Sequence, residues 1–142
     1  MLSRKIATLL NAGLFSLLTV MTAHASPAKA NVSHCGDLPA ALTQDPLRAA
    51  GFQIVETDKL HRVQERPWAH IPTGAKILLR APSGVTAADL HRAAMCRADS
   101  ESPLSVPGAK LRVVRSGDLY ELTITADQRS AALAIQHRTS AL

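Results

Sequence analysis

The chain has 142 residues, of which 16 are Lys or Arg, 11 are Asp or Glu and 3% are aromatic, for a formal net charge of +5. This length suits one small domain. The mild positive charge and the scarcity of aromatic rings exclude a nucleic-acid-binding surface, which combines a basic patch with stacking side chains, so we expect no nucleic-acid partner.

The first 25 residues have the pattern of an export signal. Arg4 and Lys5 form a positive segment, residues 6–20 are mostly apolar and uncharged, and residues 23–25 read Ala-His-Ala, the small-x-small form that signal peptidase accepts. The apolar run is short for a membrane span of about 20 residues, although an uncleaved anchor is the alternative. We therefore predict a signal peptide at residues 1–25, no membrane span after its cleavage, and a periplasmic or secreted protein.

Residues 26–33 are rich in Ala, Ser and Pro and are predicted to be a flexible leader, which leaves residues 34–142 as a single domain. Asp45-Pro46 resembles a helix N-cap and first helical residue, and Gly51 resembles a helix stop. We therefore predict a short helix between them.

Strand composition follows in two segments, Phe52–Glu56 and Leu60–Gln64. Between them, Asp58-Lys59 is compatible with a turn that reverses the chain. We therefore expect an N-terminal hairpin ahead of the main sheet.

The segment Arg66–Pro72 has a proline near each end, so we predict an irregular, exposed loop. Trp68 and His70 are amphipathic side chains on this segment, which makes it a possible binding loop for an unknown protein or small-molecule ligand. The alternative is that Trp68 covers the edge of the core, and we favour that alternative.

The strongest secondary-structure pattern lies in residues 74–99, which predict a strand, a tight connection and a capped helix. Lys76–Arg80 is a short apolar run between two charges. Thr86 and Asp89 then form the Thr-x-x-Asp pattern of a capping box, and good helix formers follow. Cys96 lies at the edge of the narrow apolar face of this helix.

Two alternating segments, Lys110–Arg115 and Tyr120–Thr125, flank the turn sequence Ser116-Gly117-Asp118 and predict the clearest hairpin in the chain. Asp127 is predicted to cap a last helix that runs to about Ala141. The buried side of this helix is predicted to carry Ala131, Ala134, Ile135 and Leu142.

From Gly74 onward the predicted order is strand, helix, strand, strand and helix. This order predicts an α+β fold in which two helices pack on one face of a small antiparallel or mixed sheet, half of the ferredoxin-like plan, with the N-terminal hairpin adding strands. The core has to be aliphatic and rich in alanine, because few aromatic residues remain once the signal is removed.

Cys35 and Cys96 are the only cysteines in the sequence. In an oxidising compartment two such residues are expected to form a disulfide. A thiol pair that binds metal or exchanges redox equivalents is the alternative, but the CxxC spacing typical of redox catalysis is absent. We therefore predict a Cys35–Cys96 disulfide that acts as a structural staple.

Three segments carry a resemblance to known proteins: GAKILLRAPSGVTAADLHRAAMC, VPGAKLRVV and ITADQRSAALAIQHR. Over Gly74–Leu142 the chain resembles short exported proteobacterial proteins of unknown function, and the resemblance implies export without assigning a chemistry. Such proteins often place a His directly after the helix cysteine, where this chain has Arg97. The strand–helix–hairpin–helix order is also similar to heavy-metal-associated domains, whose CxxC is absent here, and to the BON domains of the envelope.

Metal binding is the most specific chemical hypothesis that the sequence supports. His91 and Met95 are four residues apart and share a helix face, and His34 is next to Cys35, which a disulfide would bring close to that helix. Imidazole together with thioether suits copper. The sequence thus leaves open a periplasmic copper-binding protein that uses His34, His91 and Met95, and also the two cysteines if they are reduced.

No GxSxG, HExxH, Walker or GxGxxG pattern occurs, so we predict no enzyme and no cofactor. Four titratable residues are close in sequence, but their spacing is that of a solvated hairpin face: Glu56, Asp58, His61 and Glu65. The preferred interpretation is an exported, non-catalytic small domain that binds an unknown partner or serves as an envelope accessory.

Overall fold

A computed structural model of the chain describes residues 35–65 and 67–142, which form one antiparallel sheet and two α-helices. The strands are β1 (Gln53–Glu65), β2 (Trp68–Arg80), β3 (Lys110–Ser116) and β4 (Leu119–Thr125), and the helices are α1 (Ala87–Arg97) and α2 (Arg129–Thr139). The predicted α+β class is confirmed. The predicted signal peptide, the leader and His34 lie outside the described residues.

The strands lie in the order β1-β2-β4-β3, and every neighbouring pair is antiparallel. β4 therefore separates β2 from β3, which point the same way and are connected through α1. The β3–β4 hairpin lies where its turn sequence predicts it, with Ser116 paired to Leu119.

One face of the sheet supplies most of the core. Both helices cover this face, α1 with Leu90 and Ala93 and α2 with Ile135, all of them fully buried. Each fully buried Leu or Ile contributes about 1.5–3 kcal/mol to stability. Because strand side chains alternate between faces, the register pairs three buried residues of β2 with three of β4: Ala75 with Ile124, Ile77 with Leu122, and Leu79 with Tyr120.

The capping box at the start of α1 is present as predicted. The hydroxyl of Thr86 accepts a hydrogen bond from the backbone nitrogen of Asp89 at 3.1 Å, and the Asp89 carboxylate accepts one from the backbone nitrogen of Thr86 at 3.2 Å. The Thr86 hydroxyl also donates to this carboxylate at 2.7 Å, and Arg92 pairs with it at 2.6 Å. Both contacts lower the pKa of Asp89, and the hydrogen bond from the Thr86 hydroxyl has the larger effect.

A disulfide joins Cys35 to Cys96, with the two Cα atoms 5.8 Å apart, so this prediction is confirmed. The bond ties the start of the described region to the last turn of α1. The guanidinium of Arg97 adds a hydrogen bond to the carbonyl oxygen of Cys35 at 3.3 Å. Neither cysteine is therefore a free thiol.

The prediction of a short helix after Asp45 is wrong, because the chain makes a turn there instead. The Asp45 side chain is buried and accepts hydrogen bonds from the backbone nitrogens of Leu47 at 2.9 Å and Asp99 at 3.2 Å. The first bond closes an Asx-turn, and the second joins this segment to the loop after α1. The carboxylate thus holds two chain segments together rather than starting a helix.

α2 begins one residue later than predicted and ends at Thr139. Asp127 does not cap it, because the Asp127 carboxylate forms an ion pair with Lys110 at 2.6 Å. Gln128 occupies the N-cap position without a side-chain hydrogen bond.

The buried face of α2 is shifted by one position from the predicted one. Ala131 and Ala134 are half-buried and Leu142 is exposed, so Ile135 alone of the predicted set is fully buried. The shift follows from Gln136, which is held in the interior by hydrogen bonds to two backbone carbonyl groups. The buried residues of α2 are Ala132, Ile135, Gln136 and Thr139.

The N-terminal hairpin is longer than predicted and turns at a different place. β1 runs through Asp58-Lys59, where the sequence predicts a turn, and the chain reverses between Glu65 and Trp68, which pair with each other. Asp58 lies opposite Lys76 of β2, and their side chains form an ion pair at 3.1 Å. The hydrogen bond to Asp58 raises the pKa of Lys76. A hairpin is present here, but its predicted turn is wrong.

Candidate functional site

The far end of the β1–β2 hairpin projects beyond the rest of the sheet. β2 pairs with β1 over its whole length but with β4 only from Gly74 to Leu79. Residues 61–65 and 68–72 therefore form a two-stranded ribbon, called the arm below, whose pairs begin with His61–Pro72 and end with Glu65–Trp68. At about 3.3 Å per residue, the arm extends roughly 15 Å from the sheet.

A β-bulge and a glycine form the base of the arm. The register between β1 and β2 shifts by one residue here, with Thr73 as the extra residue of the bulge. The next residue, Gly74, has φ +151° and approaches β4 so closely that a Cβ would overlap the carbonyl oxygen of Ile124. The arm thus leaves the sheet at a point that accepts only glycine.

A buried glutamine of α2 holds both strands at this base. The side-chain nitrogen of Gln136 donates to the carbonyl oxygen of Leu60 at 2.9 Å and to that of Gly74 at 3.1 Å. Gln136 is only 6% exposed, so these carbonyl groups have their partner inside the protein. The direction of the arm is therefore fixed by the same helix that covers the core.

One face of the arm presents an apolar surface to solvent. Trp68 is 82% exposed and Val63 is 53% exposed. Trp68 is the only tryptophan in the chain and lies at the tip. Alternation and register place six side chains on this face, five of them exposed and Pro72 buried: His61, Val63 and Glu65 from β1, and Trp68, His70 and Pro72 from β2.

Trp68 and His70 lie on a strand, so the prediction of an irregular loop is wrong. Pro72 is compatible with β2 because β4 does not pair with the strand at this position, so one side of the strand forms no ladder there. The interpretation that Trp68 covers the edge of the core is also wrong, given its exposure. The role of this segment as a binding element stays a prediction.

Basic and imidazole groups accompany the exposed tryptophan. Arg62 is exposed on the opposite face of the arm, and Lys59 is exposed on β1 just before it. The rings of His61 and His70 approach each other edge to face, with centroids 6.3 Å apart and an interplanar angle of 88°. Glu65 is the acidic residue of the arm and pairs with Trp68.

The structure does not bring the predicted copper ligands into one described site. His91 and Met95 are both exposed on α1, and Met95 is 63% exposed. His34 lies outside the described residues, and the two cysteine sulfurs are bonded to each other. Within residues 35–65 and 67–142, no group of three or more His, Cys, Asp or Glu side chains is placed to hold a metal ion.

A shallow hollow of about 300 Å³ beside α2 is lined by the charged side chains of Arg48, Glu101 and Arg138 and by the imidazole of His137. The two arginines bind to the loop that follows α1. Arg48 pairs with Glu101 at 3.8 Å, and Arg138 donates to the carbonyl oxygen of Ser102 at 3.0 Å. The hollow is thus better explained by loop anchoring than by chemistry.

No family model, no curated protein and no solved structure matches this chain. Among the described residues, no helix combines the length and apolarity that crossing a bilayer requires. The arm itself is the feature that sequence reasoning missed. A usable signal exists, because no Gly or Pro interrupts the chain between Gly51 and Pro67, which favours one long strand over two short ones.

Proposed function

We propose that this protein is an exported, non-catalytic binding module that engages a partner protein of the cell envelope through its arm. The observation that carries the proposal is the position of Trp68, 82% exposed at the tip of a ribbon that projects from an otherwise packed domain. The binding face consists of Trp68, Val63 and the two arm histidines, His61 and His70.

The exposure of Trp68 supports binding because a tryptophan ring left in water forgoes a large favourable free energy of burial. Apolar area is worth about 25 cal/mol per Å², and tryptophan is enriched among the residues that dominate interface affinity. Val63, on the same face, extends the apolar surface. A two-stranded ribbon is also only marginally stable in isolation, so a partner that covers this face would order it further.

The charges around the arm indicate what kind of partner fits. Lys59 and Arg62 are basic and exposed, and Glu65, which lies opposite Trp68, is the acidic residue of the arm. We therefore expect a protein surface with an apolar pocket for Trp68 and, nearer the base of the arm, acidic groups that face Lys59. Complementary charge of this kind speeds association and selects among partners.

Export is part of the proposal. Its supports are the signal pattern of residues 1–25 and the Cys35–Cys96 disulfide, a bond that persists in oxidising compartments. Fractionation of cells that express the full chain, with N-terminal sequencing of the product, tests it. We expect a periplasmic or secreted product that begins at Ser26, and a cytoplasmic product that retains Met1 would contradict it.

We also propose that residues 74–142 correspond to half of the ferredoxin-like plan. The support is the crossover from β2 through α1 to β3, with β4 paired between the two strands. β1 then adds an outer strand to that unit, and its extension with β2 builds the arm.

Site-specific photo-cross-linking in living cells tests the partner. A benzophenone amino acid at position 68 keeps an aromatic ring there, and the same amino acid at Leu133, 48% exposed on α2, is the matched control. We expect an adduct of discrete mass from position 68 only. Identical adducts from both positions, or none from position 68, would contradict the proposal.

The copper-binding protein is the second candidate, because His91 and Met95 are both exposed on one face of α1. The described structure leaves this site with two ligands, since the cysteines form a disulfide. Metal analysis of untagged protein purified from cells tests it. Copper that is present in the wild type and lost in His91→Gln and in Met95→Leu would support this candidate, whereas equal metal contents would remove it.

A further inference from the structure

We propose that His61 and His70 form a two-imidazole site for a divalent transition-metal ion on the exposed face of the arm. The two residues come from the facing strands β1 and β2, and their ring centroids are 6.3 Å apart. Neutral imidazole is a preferred ligand of Cu²⁺, Ni²⁺ and Zn²⁺. This site shares no residue with the copper hypothesis that rests on α1.

The distance between the rings fits a shared ion. A metal–imidazole bond is about 2.0–2.1 Å long, so two rings on one ion have centroids roughly 4.5–6.4 Å apart, depending on the angle at the metal. The observed 6.3 Å is at the wide end of this range, where the two nitrogens lie on nearly opposite sides of the ion. Both side chains are exposed, so small rotations about their side-chain torsions bring the nitrogens closer without disturbing the core.

The backbone pre-organises the pair. Val63 pairs directly with His70, and His61 lies two residues away on the same face, so the histidines are diagonal neighbours of an antiparallel ladder. The direction of the arm is set at its base by Gln136 and the bulge. Arg62 lies on the opposite face, which keeps its positive charge away from the ion.

Two protein ligands leave the remaining coordination positions of the ion open. Water fills them in the isolated protein, and a donor from a docked protein can replace that water. The inference does not depend on the proposed partner, because the ion alone is the probe that tests it. A failed metal titration therefore leaves the cross-linking result untouched, and the reverse also holds.

The test uses untagged, signal-cleaved protein titrated with Cu²⁺ in a non-chelating buffer. Trp68, the only tryptophan, is on the same face of the arm and two residues from His70, so its fluorescence reports an ion bound there. We expect saturable quenching in the wild type, and dissociation constants at least tenfold weaker in His61→Gln and in His70→Gln. Zn²⁺ does not quench tryptophan fluorescence, so its binding is measured by calorimetry. We expect Zn²⁺ to bind the wild type more tightly than either histidine variant.

The matched control replaces an exposed histidine on a helix, His137→Gln on α2, and is expected to quench like the wild type. His91→Gln, on α1, distinguishes this site from the second copper candidate. Equal quenching in the wild type and in the His61→Gln/His70→Gln double variant would overturn the inference, and so would an absence of saturable binding. Loss of quenching in His91→Gln alone would also overturn it and would favour the site on α1.

Discussion

The side-chain nitrogen of Gln136 lies 3.1 Å from the carbonyl oxygen of Gly74 and donates a hydrogen bond to it. The same nitrogen donates to Leu60 on the neighbouring strand. One side chain of α2 thus donates hydrogen bonds to both β1 and β2 at the base of the arm. The buried polar groups of this junction are matched to one another, which explains why a glutamine lies among the core residues.

Replacing this glutamine is expected to loosen the arm and destabilise the domain. Gln136→Leu keeps the approximate volume but leaves two carbonyl oxygens without this donor, so we expect a loss of about 2–3 kcal/mol in the free energy of unfolding. Urea denaturation measures the loss, and hydrogen exchange of the arm amides shows where it acts. Gln128→Leu, at the exposed N-cap position, is the control and should stay close to the wild type.

Gly74→Ala tests the close approach of the arm base to β4. The new methyl group would overlap the carbonyl oxygen of Ile124 at a backbone conformation of φ +151°, so the strands have to separate. We expect a destabilisation of about 2–4 kcal/mol, the combined cost of overpacking and backbone strain. Gly36→Ala is the matched control, because a Cβ at that position meets nothing within 4 Å. A thermal midpoint for Gly74→Ala equal to that of the control would show that β4 is not so close.

Removal of the disulfide is expected to cost a large part of the stability. The two cysteines are 61 residues apart, and closing a loop of that length contributes about 4 kcal/mol in the chain-entropy description. The Cys35→Ser/Cys96→Ser variant and the reduced wild type should therefore unfold at similar, lower urea concentrations. The variant itself should not respond to reductant. A wild type whose midpoint is unchanged by reduction would contradict this expectation.

The capping box predicts a specific response to acid. The pKa of Asp89 is lowered in the folded protein by the Thr86 hydrogen bond and by Arg92, so the folded state favours the carboxylate. Its stabilisation is complete above the ordinary pKa of an aspartic acid, about 4, and is lost as the pH falls through the lowered folded value.

We therefore expect Asp89→Asn to be less stable than the wild type at neutral pH, by about 1 kcal/mol, the usual worth of a cap. The difference should shrink as the pH is taken from 5 towards 2, and denaturation at several pH values measures it. Asp37→Asn, at an exposed position, controls for the loss of a charge. A difference that stays constant down to the lowest pH would show that ionisation of Asp89 does not stabilise α1.

Local patterns were sufficient for three features of the fold. The Thr86–Asp89 capping box, the alternation of the β3–β4 hairpin and the pairing of Cys35 with Cys96 each depend on a few residues whose chemistry allows few alternatives. The α+β class follows from the order of these elements.

Three other features could not be predicted in the same way, because each depends on a distant part of the chain: the turn of the first hairpin, the strand at Pro72 and the cap of α2. Asp58-Lys59 has turn composition, yet the Asp58 carboxylate forms an ion pair with Lys76 on the neighbouring strand. Pro72 argues against a strand until the absence of a β4 partner at that position is known. Asp127 likewise would cap α2 if Lys110 did not hold its carboxylate. In each case a long-range contact overrides a local preference.

The separation between the arm and the packed interior determines where this protein can vary. Substitutions at the tip are expected to leave the helices and their contacts with the sheet intact, whereas substitutions at Gly74 and Gln136 disturb the close approach and the hydrogen bonds at the base of the arm. An engineer can therefore exchange the tip sequence to redirect the molecule towards a new target without rebuilding the domain. Amino-acid substitutions during evolution are expected to follow the same division, accumulating quickly at the tip of the arm and slowly at its base.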